Sequence, residues 1–249
     1  MIKRELELLN NEVGNLNKQD GVECDICLNK GHIYQLIYDE ELGYEEIIIK
    51  DCECYPKRQI MLEIKNSGLE RQFKINTFDN YRTDEGWQKT LKDRCIKYTQ
   101  DKSDRWLVIS GASGAGKTHL ATAVSYELIK QGYKFKYFSY AREMPRLQGR
   151  LKSGFMDVRE QAELDLEHLL NVDLLYIDDF LKGSNNLSNV FELIDGRYFR
   201  GKKTIITTEY TSQALLGIDE AMAGRIIEKT DRIYYLELTK GDKNYRLKG

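Results

Sequence analysis

The stretch Gly111-Ala112-Ser113-Gly114-Ala115-Gly116-Lys117-Thr118 has the residue types and spacing to hold a triphosphate, G-x-x-x-x-G-K-[ST]. Gly111 and Gly116 permit the backbone turns that point successive N–H groups inward at phosphate oxygens. Lys117 offers a point charge to the β- and γ-phosphates, and Thr118 offers a hydroxyl to Mg²⁺. The candidate cofactor-binding set runs from Gly111 to Thr118, with His119 beside it. The plain alternative is a glycine-rich surface turn, and the flanking residues argue against it. Residues 106–110 are short and apolar, as a buried strand requires. From residue 118 to 130, Leu120, Val124, Leu128 and Ile129 share a helical face. That helix would begin at the phosphates and add its dipole.

A second candidate is Asp178-Asp179, closing an apolar run over 172–177. Paired carboxylates at the carboxyl end of a buried strand lie where a doubly wound sheet binds ligand. An acidic strand end alone says little; downstream of a phosphate loop it acquires a chemistry. Asp178 would hold Mg²⁺, directly or through water, and Asp179 would orient or deprotonate an attacking water.

The third set is Cys24, Cys27, Cys52 and Cys54, four of the five cysteines, in two tight pairs. Without a secretory pattern, such pairs read as metal ligands before disulfides. Residues 33–38 and 45–50 look like strands turned at 41–43, and the hairpin would bring the pairs together as a tetrahedral thiolate Zn²⁺ site. Two redox-active or merely buried pairs are the alternative, and His32 could replace one thiolate. Four filled positions leave no place for a catalytic water.

These sets need elements to position them. Residues 2–13 place Ile2, Leu6, Leu9 and Val13 on one helical face, to dock on this domain or on a partner. A connecting helix is expected over 57–67. An irregular aromatic segment over 69–81 either walls a base or packs in the core. Residues 86–100 read as a helix with Trp87, Leu91, Cys95 and Tyr98 on one face, so Cys95 reads as a small core residue. A strand over 134–140 precedes a basic helix over 141–153 with Arg142, Arg146, Arg150 and Lys152. That helix presents either a solvated face or a patch that tracks single-stranded nucleic-acid phosphates. A helix over 165–170, another over 187–199, a strand over 203–208, a helix over 219–229 and a strand over 233–238 complete the pattern.

The whole is α/β, a five-stranded parallel sheet flanked by helices behind a small zinc-binding module, divided as 1–60 and 61–249. Residues 1–60 carry net charge −6 and the remainder +4, within a total of −2 over 249 residues. An acidic head on a mildly basic body suggests modules with different partners. With no run of 18 apolar residues and no signal-peptide pattern, a soluble cytoplasmic chain with no membrane partner is expected.

The order of these pieces resembles the AAA+ ATPases of the initiator and helicase-loader branch, closest to the DnaC/DnaI-type loaders of bacteria and phages. TFDNY at 77–81, GASGAGKT at 111–118, LLYIDDF at 174–180, FELIDGRYFRGKKTIITT at 191–208, GRIIE at 224–228 and NYR at 244–246 carry the resemblance. It covers 60–249 well and 20–60 loosely, where the paired cysteines resemble a zinc-bearing helicase-binding head. The resemblance implies an ATPase using ATP, ADP and Mg²⁺, working with a hexameric replicative helicase and single-stranded DNA, and assembling through its ATP site. An IstB-type transposition helper shares the same body, and a helicase inhibitor with little turnover is a third possibility. Thr208 and Glu209 fall at the first-sensor position, where the family usually has asparagine after the threonine. A carboxylate cannot donate to phosphate unless protonated, which bears on turnover more than on binding. Arg225 matches the arginine finger that acts on the neighbouring subunit's nucleotide, and a helix-surface salt bridge is its plain alternative. Arg246 matches a terminal arginine, and the chain is expected to end without a helical lid.

Overall fold

The computed structural model describes residues 2–40, 43–183 and 187–238. The chain divides into two compact units, Met1–Asn66 and Ser67–Gly249.

The first unit contains α1 (Ile2–Asn11), α2 (Asn17–Asp20), the hairpin strands β1 (His32–Asp39) and β2 (Tyr44–Asp51), and α3 (Tyr55–Asn66). The strands pair antiparallel from His32↔Asp51 to Asp39↔Tyr44, and the expected turn residues 41 and 42 lie outside the described residues. α1 ends at Asn11, so Val13 is exposed and leaves the expected face. The chain turns instead at Gly14, where a Cβ would lie 2.5 Å from the Asn29 carbonyl oxygen. The Asn10 side chain closes the free edge of β1, donating to Tyr34 O and accepting from Tyr34 N at 2.9 Å each. α3 runs through residue 60 without a break, and Arg58 and Lys65 tie it to Asp20 and to the Gln19 carbonyl.

The second unit runs α4 (Glu70–Ile75), α5 (Gly86–Gln100), β3 (Leu107–Gly111), α6 (Lys117–Lys130), β4 (Phe135–Ser139), α7 (Tyr140–Leu151), α8 (Met156–Asn171), β5 (Leu174–Phe180), α9 (Ser188–Phe199), β6 (Lys203–Thr208), α10 (Ser212–Ile218), α11 (Glu220–Lys229) and β7 (Tyr235–Leu238). Its five strands are all parallel, in the order β4-β5-β6-β3-β7. Every residue of β3 and β6 is buried, as covered parallel strands demand, so neither strand alternates between a core face and a solvent face. Parallel order puts all five carboxyl ends on one edge, and the phosphate loop and Asp178-Asp179 meet there.

Two helices extend beyond the sequence expectation. α8 starts at Met156, its acidic run hiding an apolar face of Ala162, Leu166, Leu169 and Leu170. α10 was not foreseen, although Thr211 caps it by accepting from Ala214 N at 3.1 Å. α5 keeps its predicted bounds, with Leu91, Cys95 and Tyr98 buried, while Gln88 takes the inward place expected of Trp87.

Candidate nucleotide and metal sites

β3 delivers the chain into the loop at Gly111, against β7. A Cβ there would lie 2.7 Å from Leu238 Cβ, so no side chain fits. Gly114 and Gly116 take φ of +78° and +84°, the left-handed region open to glycine. A Cβ on Gly116 would also approach the Tyr81 ring to 3.1 Å. The 77–81 segment thus packs beneath the loop. His119 holds it there, with Nε2 2.8 Å from the Thr77 carbonyl and its ring edge-on to Tyr81 at 5.3 Å. Burial lowers the His119 pKa against the upward pull of that carbonyl, so a neutral imidazole donates the bond. Phe73 packs in the core against Tyr126 and Phe135.

Lys117 is buried, and its ammonium donates to Gly111 O at 2.7 Å and Ala112 O at 3.0 Å. Burial pushes its pKa down, while the charges of Glu209 and Asp179 push it back up. Thr118 Oγ1 donates to Asp178 Oδ1 at 3.4 Å. A hydroxyl and a carboxylate so placed at the mouth of a phosphate cradle are a donor set that fits Mg²⁺.

Asp178 is held on several sides. Tyr176 and Thr207 donate to its Oδ1 at 2.7 and 2.6 Å, and Tyr137 donates to Oδ2 at 3.0 Å. Burial, with the Asp178 charge adding to it, pushes both phenols above their ordinary pKa and keeps them donors. Asp179 is different. Its φ is +56°, and the pairing of β5 with β6 shifts register between Ile177 and Phe180. Its N–H donates to Thr207 Oγ1 at 3.0 Å, and its carboxylate pairs with Lys182 at 3.2 Å. Lys182 also reaches Glu209 at 3.4 Å.

Thr208 is fully buried, and its hydroxyl is used within the fold, donating to Phe180 O at 3.0 Å. The β6 hydroxyl that reaches the Asp178 carboxylate is that of its neighbour, Thr207. Arg225 lies within its own chain against α9. Its Nε is 2.6 Å from Asp195 Oδ1, and its guanidinium stacks over Phe191 at 5.0 Å. Arg246 and the rest of the 244–246 motif lie outside the described residues.

In the first unit all four sulfurs of Cys24, Cys27, Cys52 and Cys54 lie within 4.8 Å of one another, with Cys24–Cys52 at 3.7 Å and Cys27–Cys54 at 3.6 Å. A tetrahedron with Zn–S of about 2.3 Å has edges of about 3.8 Å. The four thiols therefore fit Zn²⁺. Leu28 and Asn29, at φ of +48° and +66°, turn the chain so that Gly31 N–H donates to Cys27 Sγ at 3.3 Å. Burial raises the Cys27 pKa, but that N–H and the neighbouring thiols outweigh it and bring it to about 6; burial pushes Cys52 up and Cys54 up to about 12. Packed sulfurs cannot all ionise without a cation between them. His32 packs edge-on against Tyr34 and is not among the clustered ligands. Arg58 is buried and donates to Cys54 Sγ at 3.2 Å, to both Asp20 oxygens at 2.9 and 2.8 Å, and to Asn29 Oδ1 at 3.1 Å.

Sequence reasoning missed Lys182, Thr207, the two phenols and Arg58. It also missed Arg197. Arg197 is buried, donating to the Leu169, Val172 and Lys203 carbonyls at 2.6, 3.0 and 2.6 Å, and burial lowers its pKa to about 9. On the basic helix α7, Arg142 pairs with Glu143 and Arg150 with Asp165. Arg146 and Lys136 line a cavity of about 700 Å³ floored by Phe138, Leu147 and Leu169. Among the described residues no helix is long and apolar enough to cross a membrane.

Residues 34–248 match the family described as IstB-like ATP binding protein. The chain is 30% identical to the uncharacterized protein YqaM of Bacillus subtilis (strain 168) over 230 residues, 84% of this chain and 70% of YqaM. Among solved structures, DnaI superposes with a TM-score of 0.55 at 18% identity, covering 68% of this chain and 94% of that one, a likeness of fold. The DnaC helicase loader superposes with a TM-score of 0.50 at 25% identity, covering 68% and 96%. Matched over more than half its length, and with the phosphate loop and its carboxylates on one sheet edge, the chain belongs to the IstB-like ATP binding protein family.

Proposed function

We propose that this chain is an ATP-driven loader of the replicative DNA helicase onto single-stranded DNA. The supporting observation is the joining, in one chain, of a four-thiol head to an ATP-binding body that resembles nearly the whole solved DnaC helicase loader. In this role the acidic head, the first unit through Asn66, held together by Zn²⁺ on Cys24, Cys27, Cys52 and Cys54, grips the helicase. The body, from Ser67 onward, assembles in a row through its ATP sites and meets DNA phosphates on the basic face of α7. It works in the cytoplasm, where its partners are.

The phosphate cradle, Gly111 to Thr118, takes the β- and γ-phosphates, and Lys117 exchanges its loop carbonyls for them. Mg²⁺, when bound, neutralises phosphate charge, with Thr118 and Asp178 as its protein ligands. Asp179 places the attacking water, Glu209 stands beside it at the sensor position, and Arg225 completes the site of the next subunit. Catalysis is then positional and electrostatic.

Membership of the IstB-like ATP binding protein family keeps open a second reading, a transposition helper that would bind duplex DNA and a transposase. One experiment separates them. The full chain, its host's replicative helicase and circular single-stranded DNA are incubated with ATP. ATP-dependent transfer of helicase onto the circles supports the loader. Absence of any helicase complex, together with tight binding to duplex DNA, would overturn it in favour of the helper.

A further inference from the structure

One cation in this site is unused by the phosphate-loop chemistry. Lys182 follows the end of β5 and places its ammonium 3.2 Å from Asp179 and 3.4 Å from Glu209. Those carboxylates come from the ends of neighbouring strands, β5 and β6. With Phe180, Gly183 and Tyr210 the three side chains line a recess of about 250 Å³. The recess adjoins the phosphate loop: Asp179 follows Asp178, whose Oδ1 accepts from Thr118 at 3.4 Å, and Glu209 follows Thr208, which pairs with Ser110 at the end of β3.

The backbone is bent to achieve this. Asp179 and Leu181 both hold left-handed φ, +56° and +64°, and Lys182 N–H closes the turn on Asp179 O at 3.1 Å. An exposed ion pair forms readily on relaxed backbone and gives no reason to keep two strained residues, whereas a ligand site does.

The chemistry of the recess points the same way. An ionised Glu209 beside a terminal phosphate repels it and has no hydrogen to donate. An ammonium has three N–H donors. Among the described residues two of those on Lys182 are directed at Asp179 and Glu209, which leaves one for a third anion. A nucleoside diphosphate has no group to reach it, and a triphosphate does.

We propose that Lys182 binds the γ-phosphate, cancelling the charge of Glu209 and letting the chain distinguish ATP from ADP. The proposal rests on the ATP-site reading above. Its test is binding to the full-length chain, with Mg²⁺, of ADP and of the non-hydrolysable β,γ-methylene analogue of ATP. Lys182→Ala should weaken the triphosphate about tenfold or more, the worth of one charged hydrogen bond, and leave ADP within about twofold. Lys182→Gln, which keeps the stem, gives the same comparison should alanine fail to fold. Adding Glu209→Gln to Lys182→Ala should recover much of the loss, since it removes the uncompensated anion and supplies an amide donor. Equal weakening of both nucleotides, or of neither, would reduce Lys182 to an ion pair and overturn the proposal. Lys117→Ala separates the premise: if that variant binds both nucleotides like the wild type, the ATP site itself is wrong and the role of Lys182 goes with it.

Discussion

Replacing Arg225 by alanine should cost this chain little stability and nearly all of its ATP turnover. Within the chain the guanidinium makes a partly exposed ion pair to Asp195 and a stack on Phe191. A pair at that exposure contributes up to about 1 kcal/mol, and the stack about 0.5–1 kcal/mol. Urea denaturation should therefore show a loss of about 1–2 kcal/mol. The same sum is what the side chain gives up on turning to a neighbour's nucleotide, about tenfold in population. An arginine supplied in trans accelerates phosphoryl transfer by about a thousandfold or more, so the Asp195 contact cannot hold it back. Arg225→Ala should bind ATP as the wild type does and lose turnover by about that factor. Asp195→Asn, which releases the guanidinium, should keep or raise turnover. Mixing Arg225→Ala with Lys117→Ala should restore part of the activity, because each inactive chain keeps what the other lacks. If mixing rescues nothing while the two variants co-assemble, Arg225 serves only its own chain, and assembly through the ATP site loses its support.

The purified chain should carry about one Zn²⁺ by elemental analysis, with Cys24→Ser losing it and His32→Ala retaining it; metal-free protein prepared without chelator would contradict the four-thiol site. Lys117→Ala should abolish ATP binding, whereas Asp179→Ala should keep binding and stop turnover; wild-type hydrolysis by Asp179→Ala would move the water-positioning role to Glu209. Asp20→Asn should destabilise the first unit by about 3–5 kcal/mol, because it leaves the Arg58 cation buried without its carboxylate. Burial pushes the Asp20 carboxyl up, but Arg58 and the Val22 N–H outweigh it and hold the pKa below its ordinary value. A depressed carboxylate stabilises fully above its unfolded pKa and loses that stability as pH falls through the folded one. Thermal melts should thus show an acid loss below about pH 4 that Asp20→Asn lacks.

The parts of the site that were legible in the sequence are those whose partners are near in the chain or fixed by strand ends. The phosphate loop is one run of eight residues, and its flanking strand and helix are written in 106–130. Asp178 was placed beside Thr118 because a parallel sheet gathers the carboxyl ends of its strands. The residues that were missed depend on which strands are neighbours. Tyr137 reaches Asp178 only because β4 pairs with β5, with Ser139 opposite Asp178, and nothing in 134–140 declares that neighbour. Tyr176 read as one more apolar strand residue, although its hydroxyl in a buried strand required a partner. Arg197 gave no signal of its own, because burial of a guanidinium depends on carbonyls gathered from α8 and β6. Lys182, three residues after Asp179, carried the nearest thing to a local signal. A cation so close to a candidate catalytic carboxylate, with Glu209 where a neutral donor was expected, is a pairing that charge patterning can suggest.

In the proposed mechanism the adjacent carboxylates Asp178 and Asp179 serve two purposes, and their surroundings differ accordingly. Asp178 accepts hydrogen bonds from Tyr137, Tyr176 and Thr207, three groups on three different strands. A carboxylate fixed that way has lost most of its freedom before any ligand arrives, which suits a group that must hold a metal ion at one point. Among the described residues the Asp179 carboxylate accepts from the half-exposed ammonium of Lys182, and its strained backbone is tied by its N–H to Thr207 and by its carbonyl to Lys182 N–H. It can exchange its partner as the nucleotide changes, which suits a group that must place a water in one state and release it in another. Thr207 is the hinge between them, donating to the first carboxylate while accepting from the N–H of the second residue. Thr207→Val, nearly the same shape without the hydroxyl, would loosen both at once. Its effect on turnover should therefore exceed its effect on stability, whereas a Thr207 that served packing alone would leave turnover unchanged.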